Sequence, residues 1–329
     1  MRILNAEAVR AALPVGDAIQ AVRAAYIACS TGHGAAPERV ALDLPGDRNV
    51  ALFMPGFMDA ANCRSLVIKT VTVFPANPQR GLPMNQGALL AIDPGTGAAC
   101  GLLDTATVTA IRTAAGSAVA TDCLARSDAT TLAVLGTGVL APEHIAAILE
   151  VRDVRRIRIW GRTGAHAEQL AERVRPRYAD IEVEVVPTAD DAVGRADIVC
   201  TLTPSERPLF ADDRVADGAH VNAVGAFRPT MCEIPPETIR RSRVFVDQRS
   251  AALVEAGDLI QAEQSGAFSW NDLAAEVGEV ASGTHPGRDG DDEITVFKSV
   301  GMSLQDAAAA AVALANAERG GIGHVIDWP

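Results

Sequence analysis

The chain is short of what several function classes need. Aromatic residues make up only 4% of its 329 positions. Its six cysteines (Cys29, Cys63, Cys100, Cys123, Cys200 and Cys232) are scattered without a C-x-x-C pair. That argues against a disulfide framework and fits reduced thiols filling core space, as in a cytoplasmic protein. The six histidines show no metal-ligand spacing, so no metal is expected. No apolar run reaches the roughly 18–20 residues of a membrane span, which removes the membrane as a partner. An excess of positive charge is also lacking: the net charge of −12 argues against nucleic acid. An acidic chain still binds an anion if it concentrates cations locally. The N-terminal MRILNAEAVRAALPVGDAI reads as an amphipathic helix with Asn5 as a possible cap, not as a signal peptide. Against these gaps stand a hydrophobic content of 48%, ample for a core, and a length that favours about two domains.

The most informative stretch is TTLAVLGTGVLAPEH, residues 130–144. Leu132, Val134 and Leu135 read as a short buried strand. Gly136, Gly138 and Ala141 then give the G-x-G-x-x-A spacing ahead of a helical pattern. The first glycine permits a tight turn, the second lets backbone approach a pyrophosphate, and the small third residue lets helix and strand pack closely. Amides at the helix N-terminus then face the phosphates.

From about residue 131 to 250, strand-like runs (TLAVLG, RRIRIWG, IEVEVV, ADIVCTL, HVNAVGAF, RVFVDQ) alternate with helical stretches, the pattern of a parallel sheet flanked by helices. Residues 1–113 differ. The runs RVALDLP, NVALFMPGFM, SLVIKTVTVFP and GALLAIDP are separated by the turn signals PGD, PANPQRG and DPGTG, which predicts an antiparallel meander. TATVTAIRTAAGSAVATDCLA reads as the helix joining the two parts. SLQDAAAAAVALANAERGG reads as an Ala-rich helix ended by Gly320 and Gly321, and GRDGDDE (287–293) as a loop. The predicted fold class is therefore α/β: a Rossmann dinucleotide-binding domain over 114–301, plus an α+β domain with a largely antiparallel sheet over 1–113 and 302–329.

A dinucleotide unit that prefers NAD puts Asp or Glu at the end of its second strand. Here RRIRIW ends in Gly161, Arg162 and Thr163, so the carboxylate that would repel a 2′-phosphate is missing and a guanidinium stands in its place. This predicts NADPH over NADH; the alternative is a solvated arginine in a βα loop. In LVIKTVTVF, alternation puts Val67, Lys69, Val71 and Val73 on one face. An unpartnered buried ammonium is expensive, so Lys69 has either a partner and a task in proton transfer or a half-buried face from which it snorkels. Arg112 is the only charged residue between Asp104 and Asp122, with no acid three or four places away. It either clamps a carboxylate or sits on the surface. Arg39, in PERVALD, is a weaker third cation of this kind.

With these residues in view, the chain resembles the ornithine cyclodeaminase/mu-crystallin family. The matching pieces are KTVTVFPANPQRGLPMNQG, LLDTATVTAIRTAAGSA, VLGTGVLA, HVNAVGAFRP and EITVFKSVGMSLQDAAAA, in the family's order over most of the length. The resemblance implies hydride transfer between a nicotinamide and the α-carbon of an amino or imino acid, in homodimers built through the first domain. It implies that Arg39 and Arg112 bind the substrate carboxylate and that Lys69 lies beside the reacting carbon and nitrogen. Gly136, Thr137, Gly138, Val139 and Ala141 would carry the pyrophosphate, with Arg162 and Thr163 near the 2′-phosphate. Thr201 and Thr203, in the loop after the fourth strand, and Ser299, Val300 and Gly301 would lie by the nicotinamide. One departure bears on the reaction. Cyclodeaminases carry Asp in a G-x-D-x-P segment that here reads Gly225-Ala226-Phe227-Arg228-Pro229, and phenylalanine neither accepts a proton nor pairs with an ammonium. Met84 also replaces the Thr that several relatives have after Leu-Pro. The expectation is an NADPH-dependent reductase of cyclic α-imino acids. The rivals are a dehydrogenase of open-chain amino acids, a cyclodeaminase, and a non-catalytic NADPH-dependent ligand-binding protein, the last disfavoured by the scarcity of aromatics.

Overall fold

The computed structural model describes residues 1–45, 49–60 and 63–328. The chain divides into two compact units, one of Met1–Thr113 with Met302–Pro329 and one of Ala114–Gly301.

The first unit corrects the reading of the N-terminus as one helix. Strand β1 (Arg2–Leu4) precedes helix α1 (Ala6–Ala12), and α2 (Val15–Ser30) follows after a break. Pro14 causes the break: it cannot donate to a helical carbonyl, and it sits extended at ψ 149°. Asn5 does cap α1, its Oδ1 accepting from the Ala8 amide at 2.9 Å. The meander then runs through β2 (Gly34–Ala35), β3 (Val40–Asp43), β4 (Val50–Ala60), β5 (Cys63–Val73), β6 (Asn85–Ile92) and β7 (Ala99–Asp104). Gly46 and Asp47 of the PGD turn signal lie outside the described residues. Strand β7 is additional to the expected set. It leads directly into α3 (Thr105–Leu124), and the boundary between the units falls within that helix.

The second unit alternates as expected: β8 (Thr131–Leu135), α4 (Ala141–Leu149), β9 (Arg156–Trp160), α5 (Gly164–Val174), β10 (Glu182–Val185), α6 (Ala189–Val193), β11 (Ile198–Thr201) and β12 (His220–Ala223). Then come α7 (Pro236–Arg240), β13 (Ser242–Val246), α8 (Arg249–Glu255), α9 (Gly257–Gln264), β14 (Ala275–Glu276), α10 (Val277–Ala281) and β15 (Ile294–Lys298). The strand order is β10-β9-β8-β11-β12-β15-β13-β14, with every pair parallel. Its first five strands have the 3-2-1-4-5 order of the Rossmann fold, whose ligands lie outside the carboxyl ends of the strands where the order reverses. Here that point lies between β8 and β11. Separate apolar clusters lie on the two faces of β8, which with β11 and β15 reads as an apolar run, whereas β9 and β10, towards one edge, alternate charged and apolar residues.

The chain returns to the first unit with α11 (Ser303–Gly320) and β16 (His324–Val325). Gly321, at φ 62°, ends α11 in the left-handed region that glycine adopts without strain. The first sheet has the order β16-β1-β7-β6-β5-β4-β2, with β3 also on β4, and is antiparallel except for β1 beside β7. Helix α11 lies close on one face of this sheet. A Cβ at Gly56 would come 2.8 Å from Ser303 Cβ, and one at Gly101 would come 2.7 Å from a Leu314 methyl. That closeness fixes where the first charged residue of α11 points.

Candidate active site

Alternation along β5 puts Ser65, Val67 and Lys69 on the face that α11 covers, while Ile68 is exposed on the other. Lys69 is only 2% exposed, so it does not snorkel. Its Nζ donates to Asp306 Oδ1 at 3.1 Å. Arg112, on α3, is also buried, which decides against a surface arginine. Its Nε donates to the same Asp306 oxygen at 3.1 Å and its Nη1 to Gln305 Oε1 at 2.9 Å. Gln305 is held in turn by Tyr26, whose hydroxyl accepts from Gln305 Nε2 at 2.8 Å. One carboxylate oxygen thus serves two cations. The other, Asp306 Oδ2, is buried with no hydrogen-bond partner among the described residues. Arg39 is half-buried just before β3, and its charge also acts on Lys69. Burial is the main cause that lowers the Lys69 pKa, with Arg112 and Arg39 adding to it. Asp306 opposes them, and the net position is about 7.

In the second unit, Gly136 follows β8 at φ 116°, where a Cβ would come 2.9 Å from the Leu202 carbonyl oxygen. This position requires glycine both for its backbone and for its closeness to the loop after β11. Gly138 differs: a Cβ there would meet nothing within 4 Å. The N-terminus of α4 has no side-chain cap; the Ala141 amide donates to the Gly138 carbonyl at 3.1 Å, closing the turn, and Pro142 carries no amide hydrogen. Thr137 packs on Gly161, Val139 is exposed at the tip of the loop, and Ala141 is buried as the first residue of α4. Arg162 is exposed and forms no ion pair among the described residues; Thr163 stands at the N-cap of α5 without a side-chain bond to that helix. A tight glycine turn, open space above the second glycine and an uncapped helix fit a dinucleotide pyrophosphate.

Thr201 is the last residue of β11 rather than part of the loop, and its buried hydroxyl donates to Glu233, as does that of Thr203. Ser299, Val300 and Gly301 follow β15, and all three donate to Asp247 Oδ2, at 3.0, 2.9 and 2.6 Å. Sequence reasoning missed Asp306, Gln305, Glu233, Asp247, Asp258 and Lys298. One signal was there. Of the 29 basic residues only Lys69 and Lys298 are lysine, and both are buried. Where any surface cation serves, this chain uses arginine; a lysine marks a position where a compact, titratable ammonium is wanted.

The sequence profile of the ornithine cyclodeaminase/mu-crystallin family matches residues 1–321. A Δ1-pyrroline-2-carboxylate reductase of Bacillus cereus is 35% identical over 329 residues, 100% of both chains. Among solved structures, the Δ1-pyrroline-2-carboxylate reductase of Thermococcus litoralis, in complex with NADH and L-proline, superposes with a TM-score of 0.94 at 30% identity, covering 99% of this chain and 100% of that one. An archaeal alanine dehydrogenase dimer with bound NAD gives a TM-score of 0.92 at 28% identity, covering 100% and 99%. With a family profile matched over nearly its whole length, the chain belongs to the ornithine cyclodeaminase/mu-crystallin family.

Proposed function

We propose that this chain is an oxidoreductase acting on C=N bonds, which reduces Δ1-pyrroline-2-carboxylate or Δ1-piperideine-2-carboxylate to L-proline or L-pipecolate. The observation that carries this reading is the buried Lys69–Asp306–Arg112 cluster, supported by the reductase relatives. Arg112 and Arg39 bind the substrate carboxylate, a charge-assisted contact that also orients the ring. Lys69 keeps the imine nitrogen protonated, which makes its carbon a far better hydride acceptor. Asp306 holds both cations in place. The nicotinamide, when bound, supplies the hydride. Phe227 offers no carboxylate for handling an amine, so a pre-formed imine suits this chain better than deamination or amination from ammonia.

NADPH is the preferred cofactor in this reading, because β9 ends without a carboxylate and Arg162 is free to pair with a 2′-phosphate. The six cysteines, none of them in a disulfide, support a reducing, cytoplasmic setting. A homodimer is supported by the open apolar face of the first sheet and by the dimeric archaeal relative. The test follows absorbance of the reduced cofactor with each cyclic imine, with NADPH and NADH, and with and without ammonia. Turnover of the imine independent of ammonia is expected, with a lower KM for NADPH than for NADH. Turnover only of open-chain keto acids with ammonia would overturn the reading.

A further inference from the structure

Glu233 belongs to none of the roles above, yet it is fully buried beside the carboxyl ends of β11 and β12. Its two oxygens accept five hydrogen bonds. Oε1 takes the Thr203 amide at 2.6 Å and the Thr203 hydroxyl at 2.8 Å. Oε2 takes the Thr201 hydroxyl at 3.0 Å and the amides of Gly225 and Ala226 at 2.7 and 3.1 Å. Three of these donors are backbone amides that can only donate, so the arrangement is satisfied by an acceptor-only carboxylate. Gly225 has no room for a side chain, since a Cβ would fall on the Thr203 backbone and 2.8 Å from Glu233 Oε2.

Two further charges brace this residue. Asp258 Oδ1 accepts from the Glu233 and Ile234 amides at 2.6 and 3.0 Å. Asp258 Oδ2 pairs with Lys298 Nζ at 2.8 Å, and Lys298 also donates to the Ala226 carbonyl. Ala226 is thus held from both sides, its amide by Glu233 and its carbonyl by Lys298. The loop fixed through Thr203 is the one against which Gly136 packs. In a sheet of this strand order, that is where a dinucleotide lies.

We propose that Glu233 is a positioning residue for the dinucleotide: its carboxylate, braced by Asp258 and Lys298, holds the loops after β11 and β12 in their cofactor-receiving arrangement before the cofactor arrives. The inference rests only on the dinucleotide part of the function proposed above, not on the imine. Burial and the nearby Asp258 charge push the Glu233 pKa up to about 7, opposed by Lys298 and the Thr203 donors, while the three amides that can only donate favour the ionised form. An amide at position 233 fills the same space but turns two N–H groups toward donors, so at least one loop loses its anchor.

The experiment titrates wild type and Glu233→Gln with NADPH and NADH by nicotinamide fluorescence, and records thermal unfolding of both without cofactor. A rise of tenfold or more in Kd is expected, with Lys298→Met giving a similar rise and Lys298→Met/Asp258→Asn recovering part of it, because the second change removes the carboxylate left unpaired. A folded Glu233→Gln that binds within twofold of wild type overturns the proposal. If wild type itself binds no dinucleotide, the functional reading fails instead. Amide hydrogen exchange of wild type keeps the test independent of whether the variants fold. Thr203, Gly225 and Ala226 should be protected without cofactor as strongly as the flanking strands, and exchange at the rate of open loops until cofactor is added would refute the pre-formed arrangement.

Discussion

Lys69 would lose its proton well below the ordinary lysine range if burial acted alone, and Asp306 is the group that returns part of the affinity. With a pKa of about 7, Lys69 is half protonated at neutral pH. Imine reduction needs the ammonium, so kcat/KM in that direction should fall about tenfold per pH unit above 7, while oxidation of the amino acid, which needs the free amine, should rise through the same pH. Lys69→Arg keeps the charge and removes the titration. It should lower kcat by about 10²–10⁴-fold and abolish the limb near pH 7, whereas a retained limb in that variant would assign the titration to another group. Asp306→Asn should move the limb to lower pH, since the lysine loses the charge that favours its proton. It should also cost about 3–5 kcal/mol of stability, because Arg112 is left buried without its carboxylate and Lys69 must give up its proton. The sign for stability follows from the same shift. The unfolded chain holds this proton up to about pH 10.5 and the folded chain releases it near 7, so the Lys69 contribution to stability rises with pH between the two. At Arg162 the expected change is narrower: Arg162→Ala should raise KM for NADPH roughly tenfold, the size of a lost charged contact, and leave KM for NADH nearly unchanged.

Among elements, the glycine loop between β8 and α4 offers a contrast that composition alone does not. Gly136→Ala meets a positive φ and the Leu202 carbonyl, so it should destabilise the cofactor-free protein and weaken dinucleotide binding together. Gly138→Ala enters open space and should leave the melting point of the cofactor-free protein almost unchanged while raising the dinucleotide Kd. Equal losses of stability in both variants would mean that Gly138 is kept for folding and not for a phosphate. The loop itself was legible in the sequence because strand, glycines and helix follow one another within fifteen residues. The parallel strands were legible for a related reason: each of the expected runs is short and bounded by turn or helix signals, whether apolar as in β8 and β11 or alternating as in β9 and β10. What escaped was of two kinds. The helical pattern runs across Pro14, so periodicity joined two helices that the backbone separates. The pairing of Lys69 and Arg112 with Asp306 spans 237 and 194 positions, and no local period records a contact that only the laying of α11 on the sheet creates. Alternation showed which way Lys69 pointed; the fold supplied what it pointed at.

At the scale of the whole molecule, the two faces of the first sheet are unequal. One is covered by α11. The other carries Val40, Leu42, Phe53 and Ile68, exposed by 61, 52, 37 and 39% and brought together by the pairing of β3, β4 and β5. Val40 stands opposite Phe53, and Ile68 opposite Pro55, so these side chains share one surface. A contiguous apolar face of this kind marks an interaction site rather than ordinary exposure, and a second copy of the chain is the occupant that the proposed homodimer requires. Phe53→Glu with Ile68→Glu separates association from folding. Both side chains already meet water in the single chain, so charging them costs the isolated fold little, whereas burying two carboxylates in an interface without partners costs several kcal/mol. Sedimentation of the wild type should therefore give twice the 34.3 kDa chain mass, and the double variant the chain mass itself with an unchanged far-ultraviolet spectrum. A variant that still sediments as a dimer would move the interface to another surface, and that result would leave the Lys69 cluster, on the opposite face of the same strands, untouched as the argument for the chemistry.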